Sequence, residues 1–95
     1  MAVLVVYDIS DDKLRARLAR RLEAMGYVRI QRSVWVNPYG YSDEAVRTYR
    51  RLKNLPYGEE DRVHVFIIPR WSYEKAISIG REKPPKPELG TLKIF

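Results

Sequence analysis

The hydrophobic pattern divides the chain into strand-like runs without alternation and helix-like runs with a three-to-four spacing. Residues 2–8, Ala-Val-Leu-Val-Val-Tyr-Asp, form a β-branched run with no polar alternation, which predicts a strand buried on both faces and ending in a carboxylate. Ser10, Asp11 and Asp12 supply an N-cap and an acidic first turn. Leu14, Leu18, Leu22 and Met25 then recur at helical spacing until Gly26 stops the pattern, so a helix is expected over about 11–25. Tyr27 to Val36 is rich in β-branched and aromatic residues and predicts a second strand. The turn Asn37-Pro38-Tyr39-Gly40 leads to Ser42, Asp43 and Glu44, which open a helix running to about Asn54, with Ala45, Tyr49 and Leu52 facing inward and Arg47, Arg50, Arg51 and Lys53 largely outward. After Pro56-Tyr57-Gly58, residues 62–68 form a third strand, apolar at nearly every position and ended by Pro69. Ala76 to Ile79 reads as a short fourth strand.

These elements suit the split βαβ, ferredoxin-like β-α-β-β-α-β arrangement, an α+β fold with two helices on one face of a four-stranded antiparallel sheet. Residues 1–80 form this domain. Residues 81–95 begin with a proline-rich linker and end in the alternating run Leu89 to Phe95, an extra C-terminal strand expected to pair with a partner subunit. The first and third strands are apolar on both faces, yet two helices cover only one. A second copy packed sheet to sheet, a twofold homodimer, is the simplest cover for the other.

Composition adds a partner class. The chain has 95 residues, enough for one small core, and carries a formal net charge of +6. The excess is concentrated: residues 13–32 hold seven basic side chains and one acid, Glu23. A polyanion is the natural partner, and a phosphate track would draw on Arg15, Arg17, Arg20 and Arg21, on Arg29 and Arg32, and on Arg47, Arg50 and Arg51. The competing reading is a solvated, ion-paired surface of the kind common in heat-adapted proteins. The absence of cysteine excludes disulfides and thiolate zinc sites, and no apolar run is long enough to span a membrane. Met1 leads directly into the first strand, without a signal-peptide pattern, and a cytoplasmic protein is expected.

Asp8 is the most informative candidate. A carboxylate ending an apolar strand needs a positive charge, backbone donors or a metal, and the alternatives are a structural cap and a magnesium ligand. One carboxylate per subunit suffices for magnesium, which keeps several waters, if a twofold axis brings two together. Two such carboxylates repel, so metal would compete with protons and activity would weaken at acid pH. Asp11 and Asp12 read as helix-dipole partners. Tyr7 and Trp35 read first as core or interface aromatics. His64 is the only histidine, which excludes histidine-pair chemistry, and it is expected to pack within the third strand. No Walker loop, G-x-S-x-G elbow or dinucleotide fingerprint is present.

The opening Val-Val-Tyr-Asp-Ile-Ser-Asp-Asp-Lys, then Gly26-Tyr27, then Gln31-Arg32-Ser33-Val34-Trp35, and finally Ile79-Gly80 before the linker, together resemble the CRISPR-associated endoribonuclease family numbered two (Cas-two) over the full chain. The resemblance implies a ferredoxin-like homodimer whose C-terminal strand crosses to the partner. It implies a part in spacer acquisition for antiviral defence, as a magnesium-dependent endonuclease acting on single-stranded RNA or double-stranded DNA, with Mn2+ as an alternative ion. It also implies that Asp8 is the metal-binding carboxylate at the dimer interface and Tyr7 its neighbouring aromatic. Arg15, Arg17, Arg29 and Trp35 then stand where relatives carry arginines and an aromatic important for activity, with tryptophan in place of the usual phenylalanine. The family further implies a non-catalytic alternative, a DNA-binding scaffold bridging dimers of the Cas-one integrase. A toxin-like ribonuclease is the remaining alternative.

Overall fold

The computed structural model describes residues 1–80. The expected C-terminal strand and its linker lie outside the described residues. The element order is β1 (Ala2–Asp8), α1 (Asp12–Ala24), β2 (Val28–Gln31), β3 (Val34–Asn37), α2 (Ser42–Leu52), β4 (Arg62–Ile68) and α3 (Arg70–Glu74). The strands form one antiparallel sheet in the order β2-β3-β1-β4, the ferredoxin-like arrangement.

Local chemistry accounts for most boundaries. The Asp11 side chain accepts a hydrogen bond from the Leu14 N–H at 2.8 Å and so caps α1, while Asp12 adds negative charge to its first turn. Gly26 ends the helix at φ +90°, a conformation that costs other residues strain. Gly40 is required for a different reason: a Cβ there would lie 2.7 Å from Val3 Cγ2, so the turn before α2 presses directly on the central strand.

Three expectations about the elements need correction. The segment 27–36 is a hairpin, not one strand: β2 and β3 pair across a turn at Arg32 and Ser33, with a bulge between Arg29 and Gln31. This hairpin supplies the fourth strand of the sheet. Ala76 to Ile79 forms no strand within the single chain, where Ile77 and Ile79 are wholly exposed, and the preceding residues wind into the short α3. On α2 the inward residues are Ala45, Thr48 and Leu52, while Tyr49 is exposed. Thr48 is tolerated in the core because its hydroxyl pairs with the Tyr27 hydroxyl at 2.6 Å. Burial pushes the Tyr27 phenol up to about 12, against the smaller lowering effect of the Thr48 hydrogen bond.

The core lies between the sheet and the two long helices. Val3, Val5 and Tyr7 of β1 meet Leu14, Leu18 and Leu22 of α1, Trp35 of β3, and Ala45 and Leu52 of α2. The opposite sheet face carries Leu4, Val6 and Asp8, aligned by register with Phe66, His64 and Arg62 of β4 and with Val36 and Val34 of β3. Only one end of that face is covered: Tyr73 of α3 packs with Ala2, Val36, Leu4, Ile30 and Ile68. The end nearer Asp8 stays open, with Phe66 47% exposed. His64 is exposed there, stacked with Phe66 at 6.0 Å, not packed away as the sequence suggested.

Candidate nucleic-acid and metal site

Asp8 ends the central strand, and the period of two along a strand decides what surrounds it. Tyr7 points into the helix-covered core, and Asp8 lies on the open face, exposed and in register with Arg62. The ion pairs among the described residues, Arg15 with Asp12 and Arg47 with Glu44, do not involve Asp8. Asp8 is therefore no helix cap, since Asp11 fills that role. The described residues hold no cluster of three metal-ligating side chains, so within one chain Asp8 belongs to no three-ligand cage. That donor set fits magnesium, which binds through one or two carboxylates and retains water, and does not fit a closed zinc site.

The loop after Asp8 is held on every side. Ile9 is buried, and its carbonyl accepts from Arg15 Nη1 at 2.7 Å. The same nitrogen donates to the Ser10 carbonyl at 3.0 Å, and Arg15 Nη2 reaches Asp12. The Ser10 N–H donates to Asp61 Oδ1 at 3.2 Å, while Asp61 Oδ2 accepts from the Gly58 N–H at 2.7 Å.

On the helix side, Arg15, Arg29 and Arg32 line an open cleft of about 480 Å³ together with Tyr7, Asp12 and Ala16. Its floor is rigid. Trp35 Nε1 donates to the Tyr7 hydroxyl at 3.0 Å, that hydroxyl donates to the Arg32 carbonyl at 3.4 Å, and the Arg29 guanidinium lies 5.0 Å over the Trp35 ring. Tyr7 and Trp35 are thus buried supports of the cleft, and neither shares a face with Asp8. Arg17 lines a different cleft of about 320 Å³, with Ser10, Lys13, Pro56 and Asp61 among its neighbours. Arg21 is tied to the Arg51 carbonyl at 2.6 Å, Arg47 pairs with Glu44, and Arg20, Arg50 and Arg51 are exposed. The structure therefore brings Arg15, Arg29 and Arg32 together and spreads the other arginines over both helices.

The family model for CRISPR associated protein Cas2 matches residues 1–76. The chain belongs to the Cas2 family. A CRISPR-associated endoribonuclease Cas2 from Pyrobaculum aerophilum is 39% identical over the whole of both chains. One from Aeropyrum pernix is 38% identical over 82% of this chain and 84% of its own. A CRISPR-associated endonuclease Cas1/endonuclease Cas2 fusion from Thermoproteus tenax is 32% identical over 99% of this chain, which spans 34% of that protein. Among solved structures, Streptococcus pyogenes Cas2 at pH 6.5 superposes with a TM-score of 0.69 at 22% identity, covering 84% of this chain and all of that one, and shares its fold.

Two residues of this Cas2 chain escaped the sequence reading. Arg62 faces Asp8 across the β1–β4 ladder, and Asp61 holds the loop behind it. The equal lengths of the first and third predicted strands carried the signal for Arg62, since antiparallel pairing of two seven-residue runs sets the last residue of one against the first of the other. Asp61 left no signal, because its partners are backbone N–H groups.

Proposed function

We propose that the chain is a metal-dependent endonuclease of CRISPR spacer acquisition, in which Asp8 from two copies binds magnesium where the open sheet faces meet. The observation that carries this reading is the exposed Asp8 carboxylate, free of any ion pair among the described residues, at the edge of an uncovered apolar sheet face. The endoribonuclease names of the relatives support phosphodiester cleavage. Val6, Val34, Val28 and Phe66 give a second copy an apolar surface to cover, and Ile77 and Ile79, wholly exposed in the single chain, give it a strand to receive.

When bound, magnesium supplies Lewis-acid activation of water and charge neutralisation at the scissile phosphate. The chain's own residues do the rest. Asp8 holds the ion, Arg62 on the same face offers positive charge to the phosphate oxygens, and Arg29 and Arg32 fix a neighbouring stretch of backbone in the cleft around the strand end. Cleavage of labelled single-stranded RNA and linear duplex DNA, with magnesium or with EDTA, tests the reading. Wild type is expected to cut one of them only with magnesium, and Asp8→Asn to bind it while cutting at least 100-fold more slowly, on the order of the loss from one key electrostatic group. Equal trace cleavage by both proteins overturns it.

That outcome would favour a second reading, a non-catalytic scaffold that holds DNA beside the Cas1 integrase. Its support is the exposure of Arg17, Arg20, Arg50 and Arg51 on the helices that cover the sheet face opposite Asp8, and the relative that joins Cas1 and Cas2 in one chain.

A further inference from the structure

Arg15 belongs to the arginine cleft by position, yet three of its five N–H donors are already engaged within the chain. Nη1 serves the carbonyls of Ile9 and Ser10, and Nη2 serves Asp12. A guanidinium bound to two carbonyls and a carboxylate is held against its own loop, with two N–H donors left over. From the other side, Asp61 takes the Ser10 N–H with one oxygen and the Gly58 N–H with the other, so it ties the β1–α1 loop to the turn that precedes β4. Asp61 is also the residue before Arg62, the register partner of Asp8.

We propose that Arg15 and Asp61 are positioning residues that clamp Ser10 from opposite sides and thereby fix the Asp8 carboxylate for metal, leaving Arg29 and Arg32 as the anion contacts of the cleft. This rests on the reading of Asp8 as a metal ligand. Ser10 has both its backbone groups held, Ile9 is anchored in the core, and Asp11 is used by the helix, so the chain leaving Asp8 has one path. Groups that support a metal ligand from outside the coordination sphere change metal affinity without touching the ion, typically by about 10-fold to 100-fold.

The test measures Mn2+ binding by electron paramagnetic resonance, and single-stranded RNA affinity in EDTA as a function of salt, on folded variants matched by circular dichroism. Arg15→Gln and Asp61→Asn are each expected to weaken Mn2+ binding by about 10-fold, and the double variant by little more than either alone, because both release the same loop. Arg15→Lys retains the charge but cannot span the same acceptors, and it is expected to bind Mn2+ as poorly as Arg15→Gln. In RNA binding, Arg29→Gln lowers the salt slope by about 0.7, whereas Arg15→Gln and Asp61→Asn leave it unchanged. A lowered slope for Arg15→Gln, or rescue of Mn2+ binding by Arg15→Lys, overturns the clamp and makes Arg15 a phosphate contact. Should Asp8→Asn abolish Mn2+ binding while both clamp variants retain it, the clamp alone fails. Mn2+ binding that Asp8→Asn leaves intact removes the metal-ligand reading and the clamp together.

Discussion

At the scale of single residues, alternation along β1 separates two neighbours that the sequence places side by side. Tyr7 and Asp8 read as one motif, and the resemblance gives both to one site, but the strand turns Tyr7 toward Trp35 and Asp8 toward the open face. Trp35→Phe removes the indole donor to the Tyr7 hydroxyl, whose remaining bond to the Arg32 carbonyl is long. Chemical denaturation is expected to show a loss of about 1 kcal/mol, with the Arg29 stacking surface reduced. Tyr27 gives a second residue-level prediction. Its phenol is raised to about 12 in the folded chain from 10.0, so the native state keeps a proton that the unfolded state has already lost at high pH. This stabilisation is complete below pH 10 and is lost as pH rises toward 12, by about 2–3 kcal/mol. Tyr57 and Tyr73 are also raised by burial and act in the same direction. Thermal melts of Tyr27→Phe between pH 9 and 12 are expected to fall less steeply than those of wild type.

Among the elements, legibility followed how strongly each boundary is marked. The first strand and α1 are readable because the apolar runs, the Asp11 cap and Gly26 agree, and α2 because the turn before it and the acidic residues of its first turn mark its start. The β2–β3 hairpin was not, because its turn uses Arg32 and Ser33 without glycine, proline or asparagine, and the flanks share one β-rich composition. The apolar spacing of Ala45, Tyr49 and Leu52 points Tyr49 inward, whereas the residue turned inward is Thr48, buried because Tyr27 satisfies its hydroxyl. The short helix Arg70–Glu74 carries no cap signal, and its reason for forming is tertiary: Tyr73 covers one end of the outer sheet face. Leu18, with no exposed surface between α1 and the sheet, tests the core that joins these elements. Leu18→Ala is expected to cost about 2–5 kcal/mol in urea unfolding.

For the molecule as a whole, the sequence located the basic surplus and the need for a cover, and the structure divides them between two faces. The open face beside Asp8 is aliphatic and aromatic, while the arginine cleft opens on the helix side. The proposed dimer uses the first face, and the backbone anchoring proposed for Arg29 and Arg32 uses the second, so the two are separable by mutation. Phe66→Glu is expected to give a folded species of half the mass by light scattering while retaining RNA affinity in EDTA. Arg29→Gln is expected to leave the mass unchanged and weaken RNA binding more at low salt than at high salt.

The placement of Asp8 one residue past Tyr7 also sets what kinds of change β1 can absorb. Exchanging one aliphatic side chain for another at Val6 or Leu4 alters only the outer surface, but removing a single residue upstream of Asp8 turns every later side chain through the sheet. The carboxylate would then point into the core beneath α1, and the tyrosine ring would stand in solvent. Length in this strand is a stricter requirement than identity, and a one-residue deletion here should be more damaging than several simultaneous substitutions.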